Sequence, residues 1–463
     1  MGGNLEKGFR NERDREPRPP FFHPIEGRPW KEVQALQEEL LRKEIAYILE
    51  GSEFYREHWK KCSALSSRIH SKNDLAKLPF TEKKDLKEDL RKHPPLGSNL
   101  IVPLSKITRF ASTSGTTGTP YYHAVTAQDY RMWLETTARC FYGAGFTPGR
   151  DIGIYVGAMA NMFAVGIYMS GTLEYMGIPA FLPGVEAGSE RTLRLIHDQG
   201  IITALYGFPN YVLYLGSQSE KVLGIPACRL GIRKIAVGGE PGVRAMREAL
   251  QSTWGAKAYE SMGISEVGMM FSECSEQNGM HWIAQEFLLP EIIHPETAEV
   301  LPLEKGVEGE LVVTSLSKEA NPLIRYRTKD MVRVIETTCT CGRTSPKMII
   351  SGRVDDMLIV KGQKVWPNDI KGVVMTFRPQ VTGEIRIVLD SPEYSFSHPV
   401  QVKVELSQDL DPQAKRTLKE EIEKKIRSWL VVRAEVHLVP QGSLPAKINI
   451  AGKMSLFEKT YGK

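Results

Sequence analysis

Six cysteines in 463 residues are too few and too scattered to build a disulfide scaffold. No stretch approaches the roughly eighteen consecutive apolar residues that a membrane-spanning helix needs. Neither sign of charge dominates: 60 Lys and Arg against 55 Asp and Glu leave a formal +5, spread thinly, which excludes a nucleic-acid footprint. The N-terminus carries no apolar core of signal-peptide type, and the Lys/Arg/Glu mixture at 7–18 reads as a solvated tail, so a cytoplasmic protein is expected. No internal repeat or low-complexity tract stands out. What is present is a globular composition, 41% hydrophobic and 25% charged, in a chain too long for one core, so two or three domains are expected.

The most informative segment is 112–120, Ser-Thr-Ser-Gly-Thr-Thr-Gly-Thr-Pro. Gly115 and Gly118 can take positive φ and turn backbone N–H groups inward, and the hydroxyls of Ser112, Thr113, Ser114, Thr116 and Thr117 add donors, a composition suited to gripping phosphates. It lacks the Gly-Lys-Ser/Thr ending of a Walker loop. Around it the periodicities predict an amphipathic helix over 31–49, then short apolar runs alternating with helical patterns from 151 to 260, which implies parallel β-α-β units. Residues 308–335 read as strands around an Asn-Pro turn, a β-rich subdomain. Past Asp356 a compact β-α-β pattern follows, with a helix near 412–430 and alternation from Val432 to Val439.

Five motifs in order resemble those of the adenylate-forming enzymes: Ser114-Gly-Thr-Thr-Gly118, Gly263-Ile-Ser-Glu266, Tyr326-Arg-Thr-Lys-Asp330, Gly352-Arg-Val-Asp-Asp356 and Gly452-Lys453. Leu78-Pro-Phe-Thr-Glu-Lys-Lys-Asp-Leu86 and Pro367 bring the likeness closest to the phenylacetate–coenzyme A ligase branch, over residues from about 40 to the C-terminus. The resemblance implies an α/β fold with a large N-terminal body, a β subdomain and a small mobile α+β lid. It divides the chain into a polar tail at 1–30, a body binding ATP and the acyl substrate at 31–352, a hinge at 353–356 and a lid at 357–463.

The same resemblance assigns roles. The loop from Ser112 to Gly118 would hold the β- and γ-phosphates; Thr119 before Pro120 and Tyr121 after it leave this chain without the lysine many relatives carry there. Glu266 would be the magnesium-linked carboxylate, since a hard cation on phosphates wants an oxygen anion. Met262 stands where an aromatic ring usually faces adenine, beside Gly263 and Ser265, while Gly239, Glu240 and Pro241 would form the adenine-side wall. Asp330 would accept hydrogen bonds from the ribose diol and Arg353 would support it; Arg327 could equally be an ion-pair partner. Lys453 would be the catalytic cation of adenylation, with Lys447 its rival. Asp355 takes the hinge position, Lys361 and Gly362 face coenzyme A after rotation, and Tyr155, Met159, Phe163 and Tyr206 line the acyl pocket.

Separately, Cys274, His281, Cys339 and Cys341 offer three thiols and an imidazole, which suits a closed, structural tetrahedral zinc site. The reading is an ATP- and Mg2+-dependent ligase that turns an aryl or arylacetic acid into acyl-AMP and passes the acyl group to coenzyme A. Alternatives are transfer to a carrier protein or an amine, and a non-catalytic nucleotide-binding relative. Partners are the acid, ATP and coenzyme A, without nucleic acid or membrane, and a homodimer is the assembly to test.

Overall fold

A computed structural model describes residues 18–60, 69, 71–112, 121–159, 164–240, 242–444 and 456–461. Five parallel strands, in the order Ala180–Phe181, Gly153–Tyr155, Ala204–Gly207, Lys234–Gly238 and Lys257–Ile264, start the main sheet. Their continuous burial requires helices on both faces, and the helices Ser189–Gln199, Pro209–Ser217 and Val243–Trp254 lie between them in sequence. At Lys257–Ile264 the pairing turns antiparallel to Gly268–Glu273. From there the sheet runs on through Met280–Trp282, Lys347–Arg353, Tyr326–Glu336, Glu308–Ser315, Leu288–Ile293 and Val300–Leu301. The β-rich stretch expected at 308–335 therefore joins the parallel strands in one sheet of twelve strands among the described residues.

The helix expected at 31–49 spans Trp30–Gly51, and its buried Val33, Gln37, Leu41, Glu44, Ile45 and Ile48 fall on one face at helical spacing. The polar stretch before it needs a correction: residues 18–30 are no free tail. Glu26 is 0% exposed. Its carboxylate accepts the Phe22 and His23 N–H groups at 3.1 Å each and Arg343 Nε at 2.8 Å, so a buried ion pair straps this segment to the body.

After Asp356 the chain builds two small sheets. One holds Gln363–Val365, Leu358–Val360 and Ser395–Phe396; the other holds Ala434–Val439, Val400–Leu406, Val381–Leu389 and Phe457–Lys459. Two helices cover them. Pro367–Met375 begins with proline at its first turn, and Pro412–Leu430 is capped by Asp411, whose carboxylate accepts the Gln413 and Ala414 N–H groups. Leu418, Ile422 and Ile426, four apart, bury the second helix on the sheet.

Candidate functional site

The site assembles where the segment around Thr81 meets the strand Tyr326–Glu336. A single parallel bridge joins Thr81 to Tyr326. Thr81 N–H donates to the Arg325 carbonyl and Arg327 N–H to the Thr81 carbonyl, both at 3.0 Å. This docking sets Lys83, the first residue of the helix Lys83–Lys92, 3.0 Å from Glu266 Oε1. The Tyr326 hydroxyl donates to the same oxygen at 3.2 Å.

Glu266 is 5% exposed. Burial by itself would raise its carboxyl, but the Lys83 ammonium and its hydrogen bond outweigh that and hold it below the ordinary carboxylate range. Behind it the buried Lys318 donates to the Glu266 backbone carbonyl. Desolvation pushes that ammonium down, against the pull of the Asp129, Glu266 and Glu44 carboxylates, and Lys83 is the cation paired with the Glu266 carboxylate itself.

Sheet register explains the next pair. Tyr326–Glu336 and Lys347–Arg353 run antiparallel with Asp330 opposite Arg353, and Nη1 of Arg353 donates to Asp330 Oδ1 at 3.3 Å. Arg353 also donates to the Thr328 carbonyl at 3.2 Å and to Asp355 Oδ2 at 3.3 Å, which ties Asp355, in the turn Val354–Asp356, to the same cluster. Of the two readings for Arg327, the ion pair is the one observed: Nε reaches Glu310 Oε1 at 3.0 Å and Nη2 reaches Oε2.

The strand Lys234–Gly238 is followed by Gly239, whose φ of +80° favours glycine. A Cβ there would also lie 2.6 Å from the Phe208 ring. Glu240 follows and accepts Asn210 Nδ2 at 2.8 Å. Met262 and Gly263 are half-buried at the end of Lys257–Ile264, and Ser265 sits beside Glu266 in the turn to Gly268–Glu273. Ser112 is buried at the end of the strand Ile107–Ser112 and pairs with Tyr122, so both ends of the hydroxyl-rich loop are pinned. Thr113, Ser114, Gly115, Thr116, Thr117, Gly118, Phe163, Pro241, Lys447 and Lys453 lie outside the described residues.

Lys361 and Gly362 form the exposed two-residue turn of the hairpin Leu358–Val360 and Gln363–Val365, with φ of +49° and +82°. Tyr155 corrects an expectation. It is fully buried, its hydroxyl donates to the Ala158 carbonyl at 3.1 Å, and it stacks on Tyr206, so among the described residues it packs as core. Tyr206 is buried in the same cluster; Met159 is half-buried at its edge.

The ligand atoms of Cys274, His281, Cys339 and Cys341 lie within 4.8 Å of one another. Cys274 and Cys339 sulfurs are 3.8 Å apart, and Cys341 Sγ is 3.4 Å from His281 Nε2. Corners of a zinc tetrahedron with Zn–S bonds of ~2.3 Å are about 3.8 Å apart, so the set fits the ion. His281 Nδ1 lies 3.2 Å from the Ser345 carbonyl, which leaves Nε2 as the ligand nitrogen. The hydrogen bond from Cys274, and beyond it His281, pulls the Cys341 thiol toward thiolate, while the same contact and burial push Cys274 up.

Lys83, Asn210 and Arg343 escaped the sequence reading. Lys83 stood inside the quoted Leu78–Leu86 motif, but nothing in the motif's spacing said that it faces Glu266.

The profile of the AMP-binding enzyme C-terminal domain matches residues 362–455. The chain is 32% identical over 439 residues to the phenylacetate–coenzyme A ligase of Thermus thermophilus, spanning 91% of this chain and 95% of that one. Its fold superposes on 2-hydroxyisobutyryl-CoA ligase in the postadenylation state, bound to R3-HIB-AMP, with a TM-score of 0.87 at 25% identity, over 96% of this chain and 93% of that chain. Against the same ligase with 2-HIB-AMP and CoA in the thioesterification state the TM-score is 0.69, again at 25% identity, over 96% and 94%.

Proposed function

This chain belongs to the phenylacetate–coenzyme A ligase family, and from that premise we propose how its residues divide the reaction. The enzyme uses ATP to join a carboxylic acid to coenzyme A through an acyl adenylate. An oxygen of the acid attacks the α-phosphorus and pyrophosphate leaves; the thiolate of coenzyme A then attacks the acyl carbon and AMP leaves. Positioning and charge neutralisation dominate the first step.

The observation that carries the assignment is the buried Glu266 carboxylate, held ionised by Lys83 and oriented by Tyr326. Glu266 would supply an oxygen ligand to Mg2+, whose charge would offset that of the phosphates. Lys83 supplies the cation that the hydroxyl-rich loop lacks. Asp330, steadied by Arg353, accepts the ribose hydroxyls, and the turn at Gly239 and Glu240 walls the adenine. Ser112 and the loop after it grip the phosphates, and Lys453 completes the adenylating site. Asp355 is the hinge, and Lys361 and Gly362 meet the pantetheine arm after rotation.

Cys274, His281, Cys339 and Cys341 would hold a zinc ion, which would tie the knuckle at 339–345 to the sheet. The acid is aryl or arylacetic, as the Thermus relative's name suggests for that enzyme. The proposal places the enzyme in the cytoplasm and as a homodimer, which size-exclusion chromatography checks. Among the described residues no helix is long and apolar enough to cross a membrane. Mass spectrometry of reactions with ATP, Mg2+, coenzyme A and a panel of acids tests the substrate: the account expects AMP and one aryl-CoA. Product formation without coenzyme A, on an amine or a carrier protein instead, would overturn the acceptor.

A further inference from the structure

A polar chain that ends on Glu240 crosses between the body and the C-terminal part. Lys371, on the helix Pro367–Met375, is only 2% exposed. Its ammonium donates to Asn210 Oδ1, and Asn210 Nδ2 donates onward to Glu240 Oε2 at 2.8 Å. A second carboxylate, Glu384 of the C-terminal part, stands 3.9 Å from Lys371. Asn210, itself 5% exposed, belongs to the helix Pro209–Ser217 of the body, and Glu240 to the turn after Lys234–Gly238.

The packing around this chain is close. A Cβ at Gly372 would lie 2.6 Å from Ala245 Cβ, and one at Gly242 would lie 2.7 Å from Asn368 Cβ. Met375 is buried in the cluster of Val212, Leu215 and Met246. An apolar side chain at 371 would seal such a seam. A buried ammonium does not: it is stable there only while Asn210 and Glu384 satisfy it, and on separation water takes their place.

We propose that Lys371 is a positioning residue: through Asn210 it latches the C-terminal domain to Glu240 in the adenylating arrangement, and the latch opens before thioester formation. This rests on the reaction assigned above. The higher TM-score to the postadenylation state than to the thioesterification state, 0.87 against 0.69, agrees with a lid caught on the adenylating side.

Hydrogen exchange of the full chain without substrates reads the latch directly. In Lys371→Met, exchange in the covered helices Pro209–Ser217 and Val243–Trp254 should speed up about ten- to hundredfold, the range expected for losing a hydrogen bond to a charged group. The helix Pro412–Leu430, in the lid's own core, should keep its protection. Lys371→Arg should restore most of the effect. Acid-dependent pyrophosphate exchange should fall by a similar factor, while transfer from supplied acyl-AMP to coenzyme A should hold or rise. Unchanged interface exchange and an unchanged ratio of the half-reactions would overturn the latch. Should Lys371→Met not fold, Asn210→Ala breaks the chain from the other side, and wild-type exchange in that variant overturns it equally. Should no acid support pyrophosphate exchange in the wild type, the assigned reaction falls while the exchange measurement still decides the latch.

Discussion

Glu266 was legible as a residue type in a motif; its partner was not. The family resemblance implies a carboxylate beside the phosphates, but Lys83 reaches it only because the Thr81–Tyr326 bridge lays a distant segment against the site. That contact carries a pH dependence. The carboxyl is depressed below its ordinary 4.5, so the ion pair contributes stability that is complete above that value and is lost as pH falls through the lowered one. Thermal melting of wild type and Lys83→Met across pH should show a gap that is full at neutral pH and narrows on acidification, as the buried carboxyl takes up its proton first in the variant, which lacks Lys83, and then in the wild type. A gap that opens on acidification would mean that Lys83 does not hold Glu266 ionised. Tyr155 teaches the opposite lesson: aromatic composition suggested a pocket, yet the same ring serves equally well as core, and only its burial and its bond to Ala158 decide.

Whole elements were read best where periodicity is set by one buried face. The helices Trp30–Gly51 and Pro412–Leu430 follow from apolar spacing alone. Residues 18–30 do not, because what orders them is a set of contacts to distant residues: Glu26 with Arg343, the Tyr142 hydroxyl on the Pro19 carbonyl, and Phe22 against Tyr142. Arg343 also lies 3.9 Å from Cys341 Sγ, so strap and cysteine knuckle lean on each other. The purified protein should carry about one zinc per chain, and Cys339→Ser and Cys341→Ser should lose it; zinc-finger peptides gain about 10–16 kcal/mol from such ions. Elemental analysis checks the metal, and proteolysis should then cut residues 18–30 sooner. Full zinc content in both variants would contradict the site.

Across the whole molecule, strand and helix alternation made the parallel half of the sheet legible, whereas its continuation into the antiparallel half depends on one turn, at Ser265 and Glu266, that local patterning cannot see. The seam between body and lid is similarly invisible in the sequence, because Lys371 and Asn210 are ordinary residues until they meet. If the lid rotates about Asp355, fixing that residue should separate the half-reactions. Asp355 lies in a 3-10 turn whose φ suits proline, so Asp355→Pro should keep acyl-AMP formation and lose most transfer to thiol. Equal retention of both half-reactions would move the hinge elsewhere.

The central claim is that this chain adenylates a carboxylic acid at Glu266, and acid-dependent exchange of labelled pyrophosphate into ATP tests it most directly. The account predicts Mg2+-dependent exchange with at least one aryl or arylacetic acid, lowered roughly 10²–10³-fold in Glu266→Gln. No exchange with any acid of a broad panel, or exchange indifferent to Glu266→Gln, would contradict it.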